Sequence, residues 1–265
     1  MSKEFEDKNY WAIILGGSSG LGLATAKRLA ALGLNICVIH RDRKSTLPAI
    51  EQEFEQIKAN KTDFLSYNID ALNLEKRKEL IETLKTKLGT TGKVKAFIHS
   101  IAKGNLKPMV SEDVPILKND DFHLTLEAMA ISLYDWMQHL FKEQLFAEDA
   151  RIISFTSEGN QKAWSHYAAV SAAKAAIEAI TRNIALEFAP FGIRANCVQA
   201  GITDTASFRM IPNSDSLKAH ALLRNPSKRL TTPEDVANVV GLLCMKEAQW
   251  ITGAVIPVDG GEHIQ

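Results

Sequence analysis

The chain has 265 residues, of which 46% are hydrophobic and 23% are charged, and this ordinary globular composition excludes a fibrous or intrinsically disordered protein. Its 31 basic residues balance its 31 acidic residues, which argues against nucleic acid or an anionic membrane as a partner. The polar start MSKEFEDKNY and the lack of an apolar run of about 18 residues favour a soluble, cytoplasmic protein without a signal segment.

Short β-branched runs alternate with longer amphipathic stretches along the chain. In chain order, the pattern predicts strands at 11–15, 35–39, 64–69, 95–100, 151–155, 193–198 and 254–258, and helices at 21–32, 46–58, 74–88, 121–146, 164–189 and 233–245. This alternation predicts a Rossmann-like, three-layer α/β fold: one doubly wound parallel sheet of about seven strands, formed by a single domain over residues 1–265. Two irregular stretches, 101–120 and 201–231, follow strand ends, where open α/β sheets bind ligands.

The three cysteines, Cys37, Cys197 and Cys244, lie in separate apolar runs. Their spacing does not match that of metal ligands, so the sequence predicts no metal site. We interpret them as buried packing residues.

The first predicted strand leads directly into a glycine-rich turn with the pattern GxxxGxG, followed by the helical sequence LATAKRLAALG. Glycines permit a tight turn and a close backbone approach, and the N-terminus of the helix behind them presents free amides to an anion. The pattern favours a dinucleotide diphosphate site over an ordinary glycine-rich turn, and a Walker phosphate loop is excluded because no Gly-Lys-Ser/Thr follows. The predicted cofactor-binding residues of this turn are Gly16, Ser18, Ser19, Gly20, Leu21 and Gly22.

The end of the second strand, His40-Arg41-Asp42-Arg43, is expected to reach the adenosine ribose. Arg41 can pair with a 2'-phosphate, whereas a site for NADH usually places an acid against the ribose hydroxyls. The sequence therefore favours NADPH over NADH. The alternatives are that these arginines are a solvated surface cluster, or that Asp42 serves the ribose.

The segment SHYAAVSAAKAAIEAITRNIALEFAPFGIRANCVQAG resembles the second half of short-chain dehydrogenases, and the glycine turn and the VDGG terminus extend the resemblance over nearly the whole chain. Ordinary members place the catalytic tyrosine four residues before the lysine. Here Val170 holds that position, and Tyr167 stands seven residues before Lys174. Seven residues span about 700° of helix, roughly 20° short of two turns, so the two side chains can share one face.

The Tyr-x6-Lys spacing resembles the enoyl-acyl carrier protein reductases, a divergent branch that reduces a conjugated double bond. The His99-Ser100-Ile101-Ala102 segment also resembles that branch, and the glycine turn together with MIPNSDSL resembles its NADPH-using subtype. Two positions depart from the pattern. Ser157 occupies the place, ten residues before Tyr167, where the branch often has an aromatic residue, and the asparagine that ordinary members carry on the preceding helix has only Met129 and Ser132 as its nearest counterparts.

The resemblance implies reduction of an enoyl thioester by NADPH in fatty acid synthesis, with acyl carrier protein as the expected carrier. It implies that Tyr167 stabilises the enolate oxygen and that Lys174 holds the nicotinamide ribose. It also implies a set of further cofactor contacts. These are Asn68 and Ile69 at the adenine, Ser100, Ile101 and Ala102 beside the ribose, Ala200, Gly201, Ile202 and Thr203 at the nicotinamide amide, and Thr205 at the diphosphate.

Other functions stay open at this point. The terminus WITGAVIPVDGGEHI also resembles 2,4-dienoyl-coenzyme A reductases, and the alternatives include a carbonyl reductase and a non-catalytic NADPH-binding sensor. Residues 204–226 are predicted to form a flexible substrate lid lined by Ala206, Phe208, Met210 and Ile211, with a plain connecting segment as the alternative. The resemblance further implies a homo-oligomer, a dimer or a tetramer, that associates through the Ala-rich helix and the last strand.

Overall fold

The computed structural model describes residues 3–265 of the chain. Seven strands form one parallel sheet in the order β3-β2-β1-β4-β5-β6-β7. The strand order reverses between β1 and β4, and at such a switch point the strand ends form a ligand-binding crevice. The strands are β1 Tyr10–Leu15, β2 Asn35–His40, β3 Phe64–Asn68, β4 Lys93–His99, β5 Phe146–Thr156, β6 Ile193–Ala200 and β7 Val255–Val258. The predicted doubly wound α/β fold is confirmed.

Helices cover both faces of the sheet, and each face has its own apolar core. α3, α5 and α6 pack on one face, and α1, α2 and α9 pack on the other. The helices are α1 Gly20–Ala31, α2 Leu47–Lys58, α3 Leu74–Leu88, α4 Asn119–Leu126, α5 Ser132–Lys142, α6 Ala168–Glu187, α7 Ala206–Arg209, α8 Ser214–Arg224 and α9 Pro233–Cys244.

The β1 strand shows why the predicted strands read as continuous apolar runs. Trp11, Ile13 and Leu15 face the first core, whereas Ala12 and Ile14 face the second. A strand that is covered on both sides must be apolar at every position. Cys37, Cys197 and Cys244 are buried in the same way, which confirms their interpretation as packing residues.

Three predicted elements differ from the structure. The helix predicted over 121–146 is α4 and α5 joined by a π-helical turn at Glu127–Ile131, and its predicted end overlaps the start of β5. The helix predicted over 164–189 begins at Ala168, because the preceding chain turns at His166, whose φ is +65°. Tyr167 is therefore the N-cap residue of α6 and not a residue within the helix. The stretch 201–231, predicted to be irregular, contains α7 and α8.

None of the helices within residues 3–265 combines the length and the apolar character that a bilayer-spanning segment needs.

Candidate active site

The glycine turn connects β1 to α1 and lies at the switch point between β1 and β4. Gly16 and Gly20 have φ values of +77° and +52°, which glycine adopts without strain. A Cβ on Gly22 would overlap the carbonyl of Gly16, and a Cβ on Gly16 would overlap the carbonyl of Ser100. Ser19, the N-cap of α1, makes no side-chain cap bond, so the first amides of the helix have no partner of that kind. This cradle fits a diphosphate held by backbone amides and by the positive end of the helix dipole.

Thr205 lies directly beside this turn. Its methyl group is 3.4 Å from the position that a Cβ on Gly20 would take, and its Oγ1 accepts a hydrogen bond from Phe208 N at 3.2 Å. The structure therefore brings the start of the segment 204–226, the predicted lid, to the glycine turn.

At the adenosine end of the crevice, Arg41 is exposed and forms an ion pair with Asp70 at 2.7 Å. The Arg41 side chain is 61% exposed, and such surface pairs contribute about 1 kcal/mol or less, so Arg41 can turn to another anion at low cost. The carboxylate of Asp42 lies 2.8 Å from His40 Nδ1. The Asn68 side chain fixes the backbone of Asp42 by accepting from its N at 2.9 Å and donating to its O at 3.0 Å.

The other predicted cofactor residues line the same strand ends. Ser100 N donates to Leu15 O, and Ile69 N donates to His40 O, so both segments run alongside the ends of neighbouring strands. Thr203 is buried, and its hydroxyl donates to Gly201 O at 2.9 Å.

Tyr167 and Lys174 both meet the carboxyl end of β5. The Tyr167 Oη lies 3.4 Å from Ser157 Oγ, and Lys174 Nζ donates to Phe155 O at 2.8 Å. Ser171 N donates to Tyr167 O at 2.7 Å, so the tyrosine continues the helical hydrogen-bond pattern although it lies outside α6. The sequence-based expectation that the two side chains address one region is supported by these contacts.

Burial has the largest effect on the pKa of both side chains. It raises the pKa of the Tyr167 phenol, an effect that the hydrogen bond with Ser157 opposes, so the phenol keeps its proton at neutral pH. Burial lowers the pKa of the Lys174 ammonium, and Cys197 and Glu178 act in the opposite direction. A protonated phenol can donate a hydrogen bond to an oxygen that develops negative charge.

Val170 stands where ordinary short-chain dehydrogenases have their tyrosine, and the loop after β4 covers it. A Cβ on Gly104 would lie 2.7 Å from Val170 Cγ2, 2.9 Å from Thr125 Cγ2 and 3.1 Å from Met129 Sδ. Asn105 N donates to Thr125 Oγ1 at 3.1 Å, which pins this loop to α4. The space at position 170 is therefore filled, and a larger side chain there would displace the loop.

His99 and Ser132 form a buried pair behind Lys174. Ser132 Oγ donates to Ala128 O at 2.9 Å and lies 2.8 Å from His99 Nε2, so the Nε2 of the neutral ring carries the proton. Burial, followed by the charge of Lys174, lowers the pKa of His99 to about 3, so the ring is neutral at physiological pH. Ser132 is thus committed to His99, and Met129 packs in the cluster around Tyr167 and Val170.

Two polar residues of the site carried no functional prediction from the sequence. Ser157 stood out only as the absence of an aromatic residue, whereas its hydroxyl faces Tyr167. Glu178, one turn after Lys174, accepts hydrogen bonds on one and the same oxygen, Oε1, from Thr156 Oγ1 and Asn160 Nδ2. The position of Ser157 directly after β5 is the signal that could have indicated it, because strand ends supply site residues in this fold.

The segment 204–226, the predicted lid, packs onto the site through two of the four side chains that the sequence assigned to its lining. Phe208 is buried, and Ile211 packs against the cluster that contains Tyr167. Ala206 and Met210 are exposed, and their lining role stays a prediction. Phe208 lies in the short helix α7, and Ile211 N donates to Phe208 O at 2.9 Å just after it, so the helical turn that brings both side chains inward continues past the end of α7.

Comparison with known proteins places the chain in one family. The family model described as Enoyl-(Acyl carrier protein) reductase matches residues 16–263. A tropinone reductase homologue of Arabidopsis thaliana is 28% identical over 98% of this chain and 81% of its own length. A 3-oxoacyl-[acyl-carrier-protein] reductase of Staphylococcus epidermidis is 28% identical over 97% of this chain and its full length. The crystal structure of an enoyl-[acyl-carrier-protein] reductase (NADH) from Aquifex aeolicus superposes with a TM-score of 0.81 at 25% identity, covering 98% of both chains.

Proposed function

The chain belongs to the short-chain dehydrogenase/reductase family, in the group whose model is described as Enoyl-(Acyl carrier protein) reductase, and we propose that it reduces enoyl thioesters with NADPH in fatty acid synthesis. It is an oxidoreductase of a family whose enzymes bind NAD(P)H. The observation that carries the finer proposal is the shift of the phenol by three residues at the start of α6: Val170 is covered by the loop at Gly104, and the phenol comes from Tyr167.

The displaced phenol supports a conjugated substrate on chemical grounds. In a ketone, the carbon that accepts hydride carries the oxygen that becomes negative. In an enoyl thioester, hydride adds to C3, and the negative charge develops on the thioester oxygen attached to C1. A hydrogen-bond donor for that oxygen must therefore stand further from the hydride acceptor than it does in a ketone reductase, and Tyr167 is displaced by three residues from the ordinary position.

The chain's own residues fit NADPH. The glycine turn and the α1 N-terminus would hold the diphosphate, Arg41 would pair with the 2'-phosphate, and Lys174 would hold the nicotinamide ribose. When bound, NADPH supplies the hydride. The exposure of Arg41 and the engagement of Asp42 by His40 support NADPH over NADH.

Tyr167 would donate its hydrogen bond to the thioester oxygen as that oxygen gains charge, so the interaction is stronger in the transition state than in the substrate. Ser157 stands close enough to Tyr167 to act as a second donor to the same oxygen. The Lys174 cation lies at the same strand end and favours the developing enolate electrostatically. The reaction ends when the enolate takes up a proton at C2.

Exposed apolar side chains support a homo-oligomer. Trp250, next to β7, is 91% exposed, and Leu186 on α6 and Phe191 after it are also exposed. They lie by the helix and the strand through which the sequence predicts association, as a dimer or a tetramer. Light scattering coupled to size exclusion measures the assembly, and a monomer at all concentrations would contradict it.

A substrate panel tests the proposed reaction. The native chain is expected to oxidise NADPH with a crotonyl thioester, and to do so faster on acyl carrier protein than on coenzyme A. An acetoacetyl thioester and a 2,4-dienoyl thioester are the comparison substrates. Turnover restricted to either of these would reject enoyl reduction, and NADPH binding without any turnover would favour a sensor.

One observation favours carbonyl reduction as the second candidate. The Ser157 and Tyr167 hydroxyls lie 3.4 Å apart, and two adjacent donors can also hold a ketone oxygen. The Staphylococcus epidermidis relative is named as a 3-oxoacyl reductase. The acetoacetyl thioester in the panel tests this candidate directly.

A further inference from the structure

One guanidinium joins three segments around the active site. Arg224, the last residue of α8, places Nη2 2.7 Å from Glu158 Oε2 and 2.8 Å from Glu262 Oε1. Glu158 belongs to the turn after β5, and Glu262 belongs to the C-terminal turn. The two glutamate side chains are only 7% and 2% exposed. Loss of the guanidinium would leave two buried carboxylates without their main partner.

Both glutamates connect onward to the active site. Glu158 directly follows Ser157, and in the same turn Gly159 packs so closely on the Tyr167 ring that a Cβ would overlap it. Glu262 Oε2 accepts a hydrogen bond from Ile202 N at 3.2 Å, in the segment that would meet the nicotinamide amide. Arg224 is therefore linked through Glu158 to the turn that supports Tyr167, and through Glu262 to the Ile202 segment.

Few other contacts hold α8 in place. Ala221 is the buried residue of this helix, and Leu223 is 75% exposed. The other ion pair of the helix, Lys218 with Asp204 at 2.7 Å, is partly exposed. An element with so little apolar burial lies at the low end of local stability. The buried ion pairs of Arg224 therefore account for much of the attachment of this helix.

The charges of the cluster balance. Lys162 Nζ lies 3.2 Å from Glu158 Oε2, so two cations face two carboxylates. Lys162 is 41% exposed and lies in the same turn as its partner Glu158, so its ion pair does not join the three segments as Arg224 does.

We propose that Arg224 is a positioning residue that fixes the α8 end of the lid to the Tyr167 turn and to the Ile202 segment. If the Arg224 ion pairs break, the lid detaches and the Tyr167 turn and the Ile202 segment lose their positions at the same time. This inference rests on the proposed function and adds to it the device that holds the lid over the site.

The variant Arg224→Met in the full chain tests this role, with Arg229→Met as the matched control. Arg229 lies in the segment that follows α8, pairs with Asp235 at 2.6 and 3.0 Å and is 58% exposed. Hydrogen exchange measured on peptides covering 204–224 and 157–167, with and without NADPH, needs no substrate. We expect Arg224→Met to exchange about tenfold faster in both peptides, and Arg229→Met to match the native chain there.

Steady-state kinetics with the crotonyl thioester provide the second readout. Arg224→Met is expected to raise KM about tenfold and to lower kcat, because the lid and the Tyr167 turn both loosen. Arg224→Lys is expected to recover part of the loss, since an ammonium can still pair with one glutamate. A purely structural role would change protein yield and leave the kcat and KM of the folded enzyme unchanged.

Unchanged exchange in the two peptides of folded Arg224→Met, or equal acceleration in Arg229→Met, overturns the proposal. If Arg224→Met loosens the whole sheet, hydrogen exchange of the same two peptides is measured in Glu262→Gln. The glutamine amide oxygen can still accept from Ile202 N, but the charge that pairs with Arg224 is lost. Faster exchange in both peptides supports the proposal, and native exchange overturns it. Absence of enoyl turnover in the native chain would reject the proposed function and leave the exchange comparison valid.

Discussion

Replacing Gly104 by alanine tests whether the loop after β4 seals position 170. The new Cβ would lie 2.7 Å from Val170 Cγ2, 2.9 Å from Thr125 Cγ2 and 3.1 Å from Met129 Sδ. Ordinary contacts between such atoms are about 3.5–4 Å, so the loop must move by several tenths of an ångström or more. Overpacking of this kind costs about 1–3 kcal/mol. Each kcal/mol lowers the melting temperature of a chain of this size by about 2–4 °C.

Thermal unfolding of the native chain, Gly104→Ala, Val170→Ala and the double variant measures this cost and its origin. Because Val170 Cγ2 is the nearest obstacle, the double variant is expected to lose less stability than the two single variants together. A melting temperature unchanged in Gly104→Ala, or strict additivity in the double variant, would refute the packing argument. An activity assay tests the same packing argument. Adding Val170→Tyr to Tyr167→Phe is expected not to restore activity.

Three further predictions concern charged groups. Arg41→Ser is expected to raise the KM for NADPH by at least about tenfold and to leave that for NADH unchanged, because only NADPH offers a 2'-phosphate; equal effects on both cofactors in steady-state assays would contradict this. Lys174→Met is expected to weaken NADPH binding, measured by fluorescence titration. Its melting temperature at neutral pH is expected to stay unchanged, because burial already disfavours the Lys174 cation. A large drop in melting temperature would contradict this prediction. His99 has its pKa lowered to about 3, so the unfolded chain binds the proton more tightly. Stability measured by urea unfolding is expected to fall as pH drops from about 6.5 to about 3, a loss that His99→Asn reduces; an identical pH profile in that variant would contradict it.

The sequence predicted the sheet and the glycine turn because both depend on local patterns. β1 must be apolar on both faces, and the turn after it needs glycines where a Cβ would strike the backbone of Gly16 or Ser100. That Tyr167 and Lys174 both reach the carboxyl end of β5 also agrees with their spacing along the chain.

Long-range polar contacts could not be predicted in the same way. Arg224, Glu158 and Glu262 are separated by 38 residues or more along the chain, and no periodic pattern links them. The start of α6 after Tyr167 depends on the left-handed backbone of His166, a conformation that histidine rarely adopts. The helices α7 and α8 escaped prediction because they bury so few apolar residues that their pattern is weak.

The proposed reaction requires the Tyr167 phenol to stabilise the thioester oxygen during hydride transfer. The most direct measurement is the single-turnover rate of NADPH oxidation with saturating crotonyl thioester for the native chain and Tyr167→Phe, with the exposed Tyr134→Phe as control. Loss of one such donor is expected to lower the rate by about 10²–10³ in Tyr167→Phe, with NADPH affinity unchanged and the control unaffected. Native rates in Tyr167→Phe would contradict this role of the phenol.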